Sequence, residues 1–130
     1  MNGDGFSDAV VGNRGPDEIW FNDGGGFFSD ISQRLGDGLT RSIFLFDLDG
    51  DGDLDLVVGG ETSGQVWLND GMGRFSRGQQ ISYDRYEAIA QGDVTGDGLV
   101  DIFVASVDSY RVWRGQGDGR FVADSQANYR

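Results

Sequence analysis

Cysteine, histidine and lysine are absent from this 130-residue sequence, and proline occurs once. Without cysteine there is no disulfide framework and no thiolate site, although the compartment stays open because secreted domains also exist without cysteine. Without histidine and lysine, the commonest acid–base and nucleophilic side chains are gone, leaving carboxylates, Tyr, Ser and Thr for any chemistry. All ten basic residues are Arg, against 22 acidic residues, for a formal net charge of -12. Such a surface repels nucleic-acid backbones and anionic lipid, so neither is an expected partner. No apolar run approaches the ~20 residues of a membrane span, and Met1-Asn2-Gly3-Asp4 lacks the charged and apolar segments of a signal peptide.

Glycine, by contrast, is abundant: 23 residues, against a usual share of about 7%. Frequent tight turns imply many short strands, and the length suits one domain. One phrase occurs three times: Asn2-Gly3-Asp4-Gly5-Phe6-Ser7-Asp8, Asp49-Gly50-Asp51-Gly52-Asp53-Leu54-Asp55 and Thr95-Gly96-Asp97-Gly98-Leu99-Val100-Asp101. The copies are offset by 47 and 46 residues, and Trp20, Trp67 and Trp113 repeat at the same offsets. Behind each Trp comes a Gly-rich turn and then Phe27, Phe75 or Phe121. A fixed period in this range marks units that stack to share a core. The repeats are expected at about 1–40, without a first strand, 41–84 and 85–130.

The middle repeat predicts four strands, at 42–47, 54–59, 65–69 and 74–77, and no stretch carries a helical period. Four short strands in about 46 residues is the size of one β-propeller blade. The fold class expected is therefore all-β, with about three blades of four antiparallel strands. The first strands, Ile43-Phe44-Leu45-Phe46 and Ala88-Ile89-Ala90, are apolar on both faces and read as fully buried.

Asp47, Asp49, Asp51 and Asp55 occupy positions 1, 3, 5 and 9 of a tight loop, with Gly52 at position 6 and the Asp53 carbonyl at position 7. So many carboxylates repel one another unless a hard cation neutralises them, and oxygen-only ligation selects Ca²⁺. An EF-hand would need a Glu at position 12, where Val11, Val58 or Val104 stands, and flanking helices. In the last copy Asp93, Thr95, Asp97, Leu99 (by its carbonyl) and Asp101 fill these positions. In the first, only Asn2, Asp4, Phe6 (by its carbonyl) and Asp8 are present.

The stretch from Asp47 to Gly59, together with Trp67-Leu68-Asn69-Asp70-Gly71-Met72-Gly73-Arg74-Phe75, resembles the FG-GAP or VCBS repeats of the integrin α-subunit propeller and of many bacterial surface proteins. Phe27-Phe28-Ser29-Asp30-Ile31 is similar to the blade ending of cartilage acidic protein relatives. The resemblance implies a β-propeller that holds Ca²⁺ between the first and second strands of each blade.

On this reading the three Trp pack between blades rather than stack on sugars. Tyr83, Tyr86, Tyr110 and Tyr129 near loops of the last third are weighed as a binding surface and as ordinary scattered exposure. Propellers close with about 4 to 8 blades, so three repeats imply a partial propeller or a ring completed by further copies, a dimer being the simplest. The function expected is a non-catalytic, extracellular or cell-surface scaffold for adhesion to an unidentified protein or glycan. A lectin-type propeller and an accessory part of a polysaccharide lyase are the alternatives.

Overall fold

The computed structural model describes residues 1–83, 85–124 and 127–128. It is all-β among those residues, built as three antiparallel sheets in chain order that do not close into a ring. The first sheet contains β1 (Ala9–Val11), β2 (Asp17–Asn22) and β3 (Phe28–Leu35). The second contains β4 (Ser42–Phe46), β5 (Asp55–Gly59), β6 (Ser63–Asn69) and β7 (Phe75–Ser82), each paired with the next. The third runs through β8 (Ala88–Gly92), β9 (Asp101–Ala105), β10 (Ser109–Gly115) and β11 (Phe121–Ala123). There β12 (Ala127–Asn128) also pairs with β10.

Alternation along the strands sends successive side chains to opposite faces, and both faces of the middle sheet are apolar because each meets another sheet. Leu56 and Trp67 join Ile19 and Leu35 in one cluster between the first and second sheets. Val57, Val66 and Ile81 join Ile102, Val104 and Phe121 in another between the second and third. Burying such side chains contributes about 25 cal/mol per Å² of apolar surface. Turn chemistry fixes the hairpin between the third and fourth strands. Asn69 Oδ1 accepts N–H bonds from Gly71 (3.1 Å) and Gly73 (3.0 Å), and both glycines take the positive φ that favours glycine (82° and 81°).

Four expectations are revised. The fourth strand of the middle sheet runs to Ser82, well beyond residue 77, because Ile81 is anchored in the core at 0% exposure. The first strands are not fully buried: β4 and β8 are edge strands with a neighbour on one side only, and Leu45 is exposed. The Phe in phase with Phe75 and Phe121 is Phe28, not Phe27, since Asn22–Phe28, Asn69–Phe75 and Gly115–Phe121 are the matching cross-strand pairs. Finally, Trp67 and Trp113 pack between sheets, whereas Trp20 occupies the side of the first sheet that no sheet covers. Its Nε1–H donates to Glu18 (3.1 Å). In phase with Glu18 stands Arg111, which offers no acceptor, and the buried Nε1 of Trp113 has no hydrogen-bond partner among the described residues.

Candidate metal sites

Position 9 closes each acidic loop, with Asp55 and Asp101 opening β5 and β9 and Asp8 directly preceding β1, and that Asp is the anchor. Asp55 is fully buried; Oδ2 accepts from the Leu48 N–H and Oδ1 from the Asn69 N–H, both at 2.8 Å. Asp101 is equally buried and accepts from Val94 (2.9 Å), Thr95 (3.1 Å) and Gly115 (3.0 Å). Asp8 accepts from the N–H groups of Asn2 (3.2 Å) and Asn22 (3.0 Å) and pairs with the N-terminal ammonium at 2.6 Å. One carboxylate thereby ties the loop's beginning to the end of β2, β6 or β10. Because each carboxylate oxygen carries two lone pairs, it remains able to ligate a cation.

Around this anchor the loop turns its other acids inward. Ligand atoms of Asp47, Asp49 and Asp55 lie within 4.8 Å of one another, and so do those of Asp93, Asp97 and Asp101. Asp51 lies outside the first triad and accepts the Asp53 N–H (2.9 Å), while Asp47 accepts from Gly50 and Gly52. In the first loop the Asn2 side-chain amide donates to Asp4 at 2.9 Å, and no cluster of three acids forms there among the described residues. Thr95 contributes its N–H to Asp101, and the carbonyls of Asp53 and Leu99 remain at position 7.

The electrostatics of the two triads differ. Burial, with the charges of Asp51 and Asp47, pushes the Asp49 carboxyl above its ordinary value, and burial pushes Asp55 up despite its two N–H donors. Asp93 moves the other way: the Gly98 N–H, helped by those of Gly96, Asp97 and Thr95, outweighs burial and holds it low. The donor sets are all oxygen, which fits a hard cation such as Ca²⁺, and the unneutralised repulsion is greatest in the loop at 47–55.

Two residues overlooked in the sequence bind sheet to sheet. The Gln33 amide donates to the Gly73 carbonyl (2.8 Å) and accepts the Phe75 N–H (2.7 Å). Gln79, 46 residues on, does the same with Phe121 in the next sheet, at 2.9 and 2.7 Å. Tyr83 and Tyr86 belong to packing rather than to a surface, meeting edge to face with centroids 5.5 Å apart. Tyr110 stacks on Phe103 at 5.4 Å, and Tyr129 lies outside the described residues.

The profile of the FG-GAP-like repeat matches residues 1–58 and again 47–92, in phase with the two sheet-to-sheet steps. The chain belongs to the FG-GAP-like repeat family. Among solved structures it is similar to a chain of the Photorhabdus luminescens Tc holotoxin pore carrying the TccC3-D651A mutation, with a TM-score of 0.55 at 19% identity. That match covers 97% of this chain but 6% of the toxin chain, and at this identity it speaks for the fold alone. No curated protein matches the sequence. The FG-GAP-like blades thus supply a repeated, oxygen-lined acidic loop on a stacked β scaffold.

Proposed function

We propose that this FG-GAP-like chain is a Ca²⁺-binding propeller segment, a non-catalytic scaffold for protein or glycan recognition outside the cytoplasm. The observation that carries the reading is the recurrence, one period apart, of three carboxylates with ligand atoms within 4.8 Å. The position-9 anchor makes each loop rigid before any ion arrives, and rigidity together with carboxylate count raises affinity. Extracellular Ca²⁺ is plentiful enough to keep sites of this kind filled, and a sequence without His, Lys or Cys favours a binding role over catalysis.

Binding only to the native state contributes RT ln(1 + [L]/Kd), about 2.7 kcal/mol at a hundredfold excess over Kd. The melting midpoint is therefore expected to rise on exchanging EDTA for millimolar Ca²⁺; an unchanged midpoint overturns the reading. Calorimetric titration should show the loop at 47–55 as the tightest site, the loop at 93–101 next and the loop at 2–8 weakest.

A further inference from the structure

The uncovered sides of the first and third sheets are, one repeat apart, the two halves of the interface already formed twice within the chain. Side chains that face the preceding sheet are Leu56, Trp67 and Phe75 in the second sheet and Ile102, Trp113 and Phe121 in the third. Their counterparts in the first sheet are Ala9, Trp20 and Phe28, and Phe28 is 46% exposed. On the far side of the third sheet, opposite in parity to the buried Ile102, Val104 and Phe121, stand Phe103, Tyr110, Val112 and Val122. Phe103 and Val112, in phase with the buried Val57 and Val66 of the second sheet, are only partly buried. The chain as a whole exposes 7336 Å², whereas a compact monomer of its size exposes about 6,700 Å².

We propose that the far side of the third sheet docks on the uncovered side of the first sheet of a second copy of this chain, and reciprocally, so that two copies form a closed six-sheet pair. The third sheet matches what the first sheet lacks because it repeats the partner surface that Trp67 and Trp113 already meet. One departure from the pattern fits the same pairing. Phe21 reaches over Gly73 and Leu68 over Gly119 of the following sheet, and the residue in phase with them on the third sheet is Arg114. Arg114 pairs with Asp124 of its own copy (2.8 Å), and the turn it is in phase to cover, at 22–28, offers a further carboxylate, Asp23. That turn also offers the Gly26 carbonyl and the Phe28 N–H, the counterparts of the groups that Gln33 grips in the second sheet. Head-to-tail contacts of this kind close when the rotation per copy permits.

The test uses the full chain in millimolar Ca²⁺ with two variants on the open sides, Phe28→Glu and Val112→Glu. Sedimentation equilibrium of the unaltered chain is expected to show a dimer, and each variant alone should dissociate at least tenfold more readily with an unchanged circular dichroism spectrum. An equimolar mixture should recover part of the association, since the third sheet of the Phe28→Glu chain and the first sheet of the Val112→Glu chain are both intact. A strictly monomeric unaltered chain overturns the proposal, as that chain's open sides would then serve another occupant. A mixture no better associated than either variant overturns it too, because a symmetric contact of like sides predicts that result.

Discussion

Two aspartates of one loop, six residues apart, stand in opposite relations to the fold. Asp55 accepts two main-chain N–H groups in a fully buried setting, so the Asp55→Asn amide would confront an N–H with its own NH₂. The expected loss is about 1–3 kcal/mol in EDTA, the usual penalty for a buried polar group left unsatisfied. Asp49 accepts only the Asp51 N–H, at 3.3 Å, and is raised by burial and by its acidic neighbours. Asp49→Asn relieves repulsion, so stability in EDTA should hold or rise while the Ca²⁺-dependent gain shrinks. Urea unfolding with and without Ca²⁺ separates the two behaviours. Equal losses in EDTA would mean that the position-9 carboxylate is no anchor.

At the scale of strands and loops, the glutamine clamps show where sequence reading stops. The acidic phrase, the Trp phase and the hairpin turns were legible because each depends on residue types with few other uses: clustered Asp, glycine at positive φ, Asn at a turn. The continuation of the fourth strand from 78 to 82 was not, because Gly78-Gln79-Gln80 is polar and carries no period-2 pattern. Its order comes from Ile81 and from the Gln79 amide acting on a neighbouring main chain. The signal that could have revealed it is the Gln79 that follows Gln33 by 46 residues, one short of the 47-residue offset of the first two copies because the bulges in the two sheets differ by one residue. Gln33→Met and Gln79→Met, near in shape but unable to bond, should each cost about 1–3 kcal/mol in denaturant unfolding. Gln80→Met, at an exposed neighbour, should stay within about 0.5 kcal/mol.

For the molecule as a whole, what was read correctly is the stacking, and what was missed follows from the sheets' unequal surroundings. Trp20 obeys the same phase as Trp67 and Trp113, yet phase says only which side a residue faces, not whether a sheet is there to meet it. The first strands misled for a related reason: apolar composition promised burial on both sides, but an inner edge strand has a single neighbour. A repeat sequence reports the interface between units faithfully and is silent about the ends of the stack. The three sheets share their cores only with adjacent sheets, so stability should build up unit by unit along the chain.

Within the acidic loop at 47–55, the Leu48 carbonyl accepts the Gly119 N–H at 2.8 Å, across the seam from the third sheet. Leu48 N–H is itself held by Asp55, so the loop and the neighbouring turn are joined through a single peptide-length relay. On the proposed reading, closing the loop on an ion is expected to quiet motion in a blade that supplies none of the ligands. Deuterium exchange at the Gly119 amide should slow on adding Ca²⁺ and regain its rate in the Asp49→Asn chain, making this one proton a remote clock for occupancy of the loop next door.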